Sequence, residues 1–198
     1  MGQTAGVAGF LRYLTLLNAG VWLGAAVFMF VVALTIFTAP EMNAVVAAGE
    51  GEYQNYLKGL AGQLFFQRFY LLQFVCAGVA SLLLFLEWKL GKQEFPKWRF
   101  GLLVLLSVLV LAGGLWLRPK LENLFQQKYA AHSAVGVTMD AGKAAAEHDK
   151  WHRVSEGGYG GAVLLLLAYF AVNCRQPGKP RAVRKPKAKM EFRLWPFR

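Results

Sequence analysis

Four stretches of this chain, Tyr13–Ala39, Phe69–Leu86, Phe100–Leu117 and Gly157–Cys174, contain no Asp, Glu, Lys or Arg. All 33 charged residues, 22 basic and 11 acidic, fall between or beyond them. The shortest stretches are 18 residues long. At a rise of about 1.5 Å per residue each covers roughly 27 Å, the thickness of bilayer hydrocarbon. A helix at the surface of a water-soluble domain keeps a polar face, and these segments have none. The pattern predicts an all-α fold, a four-helix transmembrane bundle with spans at about 13–39, 69–86, 100–117 and 157–174. The 87–99 connection is short, which makes spans two and three antiparallel neighbours.

The segments between the spans carry their own periodicity. The 40–68 connection reads as a loop with a short helix at Leu57–Phe66 leading into span two at Arg68. The 118–156 segment is too long for a bare connection. Leu121, Leu124, Phe125 and Tyr129 recur at helical spacing, as do Ala144, His148, Trp151 and Ser155. Span three is therefore expected to continue outward as a helix to about His132, and a second helix, N-capped by Asp140, to run through Trp151 into span four. These form extramembrane helical extensions between spans three and four. Gly20 and Gly24 in span one, and Gly157 and Gly161 at the start of span four, are candidate helix-packing positions, because small residues four apart let backbones approach in lipid. Asn18 is placed near the inner surface and Gln73 near the outer one, each bonding a neighbouring helix or backbone.

Charge gives the orientation. With four spans, the N-terminal tail, the 87–99 turn and the 175–198 tail share one side, with 14 basic and 3 acidic residues. The other side has 8 of each. The whole net charge of +11 lies on one face, so the positive-inside rule puts both termini in the cytoplasm of a cell-membrane protein. The first span is too long for a signal-peptide core and is read as a retained helix. The 175–198 tail, basic and interrupted by prolines 177, 180, 186 and 196, is expected to be disordered in water and to lie against an anionic leaflet. Membrane lipid, rather than nucleic acid, is the partner this charge predicts. The small-residue positions add an expected homo-oligomer or membrane-complex partner.

Candidate chemistry gathers at the outer helix ends. No charged side chain lies within a span, which argues against a proton-driven transporter acting alone. No Ser-His-Asp set, phosphate-binding glycine loop or redox CxxC is present, and no catalytic residue is assigned. No facing histidine pair at mid-depth supports haem. Cys76 and Cys174 read as packing residues at different depths. His148 and His152 are four apart and share a helix face, the arrangement two metal ligands need. With His132 or Glu122 on the facing helix as a third donor they could hold Zn or Cu. The same spacing also arises on an interfacial helix with no ligand. Arg68, Arg118, Glu122, Arg153 and Glu156 form an outer polar cluster, read either as ion pairs capping the bundle or as separately solvated boundary charges.

Several short motifs carry a resemblance. They are Trp22-Leu23-Gly24 with the apolar run to Phe37, Gly62-Gln63-Leu64-Phe65 leading through Phe69-Tyr70, Arg118-Pro119, and Trp151-His152-Arg153-Val154-Ser155. In these the chain resembles the transmembrane-protein-205-like family, also described as a domain of unknown function (DUF4149). It departs from the family's prolines at Leu34 and Phe66, and from an asparagine at Tyr159. The resemblance implies a four-span helical protein with Trp22, Gly24, Pro119, His152 and Ser155 as motif positions. It implies no established reaction, and it makes a metal-related role thinkable. Two functions follow as expectations: a non-enzymatic bundle that self-associates or serves a membrane complex, or a metal- or small-molecule-handling protein with an outward-facing polar site.

Overall fold

The computed structural model describes residues 2–46, 51–91, 96–132 and 139–175, and the basic tail read above lies outside the described residues from position 176 onward. Its elements are α1 (Gly2–Thr38), α2 (Pro40–Val45), α3 (Glu52–Gly91), α4 (Lys97–Leu111), a π-helical stretch (Ala112–Leu117), α5 (Arg118–Lys128) and α6 (Ala141–Cys174). Lys97–Lys128 runs on through the π-helical stretch, so among the described residues four helices are long and apolar enough to cross a membrane. Among the described residues there is no strand. Helix α1 packs on α3 and α6, and α4 packs on the same two.

What these helices leave uncovered identifies their solvent. Phe28 and Leu164 are each 68% exposed, in company with Phe30, Leu71, Val108 and Leu167. An apolar surface on this scale is incompatible with water and is what lipid requires. The buried centre is narrow: Trp22, Ala26, Ala80, Leu106, Leu166 and Tyr169 are almost fully enclosed. The fold is that of a multi-pass membrane protein, a four-helix bundle with helical extensions beyond the apolar spans.

The extension differs from expectation at two helix ends. Helix α3 begins at Glu52, ahead of the expected start at Leu57, and reaches span two without a break, so the helix expected over Leu57–Phe66 is present and continuous with the span. Through Tyr56 it meets α5, which itself packs along α6, and these segments make up an outer module. Tyr56 stacks on Phe125 at 5.7 Å and 10°, and this aromatic contact gives the segment the partner that local propensity alone does not show. Helix α5 ends at Lys128, a turn short of His132. The cap on α6 forms as expected: Asp140 Oδ1 accepts from the amides of Gly142 and Lys143 at 3.0 and 3.2 Å.

Close glycine packing also falls elsewhere than expected. Gly20 meets the Phe170 ring at an ordinary distance, while Gly24, Gly157 and Gly161 have nothing within 4 Å of where a Cβ would be. The tight approaches are at Gly59, Gly113 and Gly114. A Cβ on Gly113 would lie 2.6 Å from the Tyr70 hydroxyl, and one on Gly114 would lie 2.7 Å from the Phe74 ring. Both glycines sit in the π-helical stretch just before Pro119. The proline cannot donate to the ladder, and a local π register absorbs that lost bond. At Gly59 a Cβ would run into the Phe125 ring. Gly59→Ala therefore displaces a buried ring from its stack, and thermal unfolding in detergent should show a loss of about 1–3 kcal/mol.

Candidate functional site

The outer module separates the three histidines that sequence spacing brings together. His148 and His152 do share a face of α6, with ring centroids 5.7 Å apart. His132 instead lies against Tyr53 and Tyr56, at 5.4 and 5.9 Å. Phe125 stacks on Tyr56 and is itself 6.1 Å from the His148 ring, which sets an aromatic layer between His132 and the α6 pair. Among the described residues no three His, Cys, Asp or Glu side chains converge on a point that could hold a metal ion. The three-histidine set is not assembled because ring packing claims the space. Both remaining histidines have neighbours of their own: His148 Nδ1 lies 3.4 Å from Asp149 Oδ1, and His152 Nδ1 lies 3.2 Å from Glu156 Oε1. On this extension, outside the apolar span, burial pushes the His148 pKa below the ordinary imidazole value. The hydrogen bond from His148 holds the Asp149 carboxyl below its usual range.

The outer charges do not form a ring between helices. Arg118 pairs with Glu122 at 3.5 Å within one helix, and Glu156 with His152 likewise. Arg153 donates to the backbone carbonyl of Asp149, and Arg68 is exposed. The link across helices is Lys128 with Asp149, at 3.4 Å. Beside it the Lys120 ammonium lies 3.7 Å from the Trp151 ring centroid, and Trp116 meets Trp151 edge-on at 5.3 Å. Of the motif positions, Trp22 is fully buried while Gly24 and Pro119 face outward.

Among the described residues the densest polar arrangement lies at the opposite end, where the sequence pattern alone marks Glu87 and Arg99 only as charges flanking a short turn. Glu87 on α3 accepts from Arg99 on α4 at 2.6 Å and from the Thr15 hydroxyl on α1 at 2.5 Å. The side chains of Arg99 and Glu87 are only 18% and 14% exposed. Tyr169 and Asn173 on α6 are buried, and the Asn173 amide donates to the Tyr169 carbonyl at 2.7 Å. Arg99 Nε and Nη2, Tyr169 Oη and Asn173 Oδ1 are buried without a protein partner. Arg12 donates to the Arg175 carbonyl, tying the start of the α1 span to the end of α6. One signal was available: Glu87 is the first charge after span two and Arg99 the last before span three. Antiparallel neighbours joined by a short turn hold such residues at one depth.

A second polar layer lies deeper. The Trp22 indole donates to Gln73 Oε1 at 2.7 Å, and the Asn18 amide donates to the Cys76 carbonyl at 3.0 Å. Asn18 and Gln73 do not bond each other, but they are not at opposite surfaces. They lie about one turn apart along the same α1–α3 contact, because the unbroken α3 carries Gln73 into the bundle, where a buried amide must find a partner. Tyr159 donates to the Ala26 carbonyl in the same interior. Polar side chains thus join helices along the bundle, and no nucleophile–base pair suited to covalent chemistry is among them.

These features define a multi-pass membrane bundle held by interior polar contacts. Residues 17–130 match the domain of unknown function DUF4149, and the chain belongs to that family. No curated protein and no solved structure matches it.

Proposed function

We propose that this is a non-enzymatic protein of the cell membrane, with both termini in the cytoplasm, that self-associates or serves as an accessory subunit through one face of α6. The observation that carries the reading is the cluster Gly157, Gly158, Gly160 and Gly161, none of which has a neighbour within 4 Å of a Cβ position. Each glycine costs a helix interior about 0.8–1.0 kcal/mol relative to alanine. Within the protomer no close helix contact offsets that cost at these positions. A second helix backbone in lipid would supply one. Native mass spectrometry in mild detergent should find a dimer or larger species that Gly158→Leu/Gly161→Leu converts to monomer. A strictly monomeric wild-type protein would refute self-association.

The affiliation with transmembrane-protein-205-like proteins belongs to the same proposal. It rests on Trp151-His152-Arg153-Val154-Ser155, beyond the matched residues. A second reading, metal or small-molecule handling, rests on the shared face of His148 and His152. Such a site takes Zn or Cu only with a further donor from a ligand or another chain. Elemental analysis of the purified protein distinguishes the two readings, and a stoichiometric ion lost in His148→Ala/His152→Ala favours the second.

A further inference from the structure

Between α3 and α4, near the strongly basic end of the bundle, lies a groove of about 390 Å³ lined by Ser81, Leu84, Trp88, Phe100, Val104 and Ser107, among others. Its walls are almost wholly apolar. Its rim is not: the Lys89 ammonium lies 4.8 Å from the Trp88 ring centroid and 5.8 Å from that of Phe85, and both rings line the groove. The nearest acid in sequence cannot neutralise this cation, because the Glu87 carboxylate is taken by Arg99 and Thr15. Lys97, at the start of α4, adds a second exposed cation three residues before Phe100. An apolar slot at hydrocarbon depth with an ammonium fixed at its headgroup end has the chemistry of an amphiphile with an acyl tail and an anionic head.

We propose that this groove is a binding site for an anionic glycerophospholipid drawn from the leaflet at the basic face. One acyl chain lies along Leu84, Leu103, Val104 and Ser107, and the phosphate is held at Lys89. The charge at this face separates that occupant from a zwitterionic lipid, whose own cation offsets the attraction. It also separates it from a second copy of this chain, which would bring the same lysines to the rim and repel. The site is independent of the α6 glycine face and remains whether or not the protein self-associates.

The test uses the full chain, purified in mild detergent and titrated with phosphatidylglycerol or with phosphatidylcholine of identical acyl chains, with bound lipid counted by native mass spectrometry. The wild type should retain one phosphatidylglycerol at least about fivefold more tightly than phosphatidylcholine, the effect expected of one basic residue at an anionic headgroup. Lys89→Gln should bring the two lipids level. Ser107→Phe, which fills the slot, should release both, with far-UV circular dichroism unchanged. Equal retention of the two lipids by the wild type means an adventitious annulus only and overturns the proposal. So does a folded Ser107→Phe protein that keeps its phosphatidylglycerol, or crosslinking of two protomers through the groove. Should Ser107→Phe not fold, the wild-type and Lys89→Gln comparisons decide alone.

Discussion

Arg99→Gln should destabilise the bundle by about 3–5 kcal/mol, because it leaves the enclosed Glu87 carboxyl without its partner. Glu87→Gln should cost a similar amount by stranding the guanidinium, which already carries two buried nitrogens with no protein partner. The Glu87→Gln/Arg99→Gln double variant should recover most of the loss, since two neutral amides at 2.6 Å spacing can bond each other and neither demands a counter-charge. Thermal or denaturant unfolding in detergent gives all three values, and the double-mutant cycle isolates the pair. Strictly additive losses would mean that the two residues act separately, as solvated loop charges would. Coupling matters here because Glu87 and Arg99, with Thr15, join three of the four spanning helices at one level.

Trp22→Ala is expected to cost about 3–5 kcal/mol for the cavity alone, and to leave Gln73 unpaired at a further cost of about 1–3 kcal/mol. Trp22 is fully enclosed, donates to Gln73 and meets Tyr169 edge-on at 6.5 Å. Trp22→Phe separates the contributions: it keeps most of the volume and removes the donor. Adding Gln73→Leu to Trp22→Phe should return part of the loss, since neither partner then asks for a hydrogen bond. If Trp22→Phe and Trp22→Phe/Gln73→Leu were equally unstable, the indole–amide bond would have no part in holding α1 to α3. This is also the physical content of Trp22 as a motif position: it is an interior strut.

The four spans were legible because lipid imposes a rule that composition alone can satisfy: about twenty residues with no charge. The Asp140 cap was legible for a similar reason, since capping depends on local chemistry. The start of α3 was hidden. Residues 52–56 are polar enough to read as loop ahead of the helix expected from Leu57, and their helix is secured by the stacking of Tyr56 on Phe125 from more than sixty positions away. The tight glycines were missed because a four-residue spacing of small residues marks only where approach is allowed. Gly59, Gly113 and Gly114 are required by the particular rings of Phe125, Tyr70 and Phe74 that press on them. His148 and His152 came together because helix geometry guarantees it, whereas His132 depended on how the module packs. The Glu87–Arg99 contact was overlooked because charge at a span boundary was counted for orientation rather than for pairing.

The central claim is that bilayer hydrocarbon covers the side chains this fold leaves bare. With Cys76→Ala and Cys174→Ser as background, single cysteines introduced as Phe28→Cys, Leu164→Cys and His152→Cys report it directly. Phe28 and Leu164 are among the most exposed apolar residues in the bundle. In vesicles made permeable to a water-soluble maleimide on both sides, the cysteine at 152 should react, and those at 28 and 164 should stay unmodified until the membrane is dissolved and the protein denatured. Rapid labelling at 28 and 164 in intact bilayer would show that water, not lipid, surrounds these helices and would contradict the account.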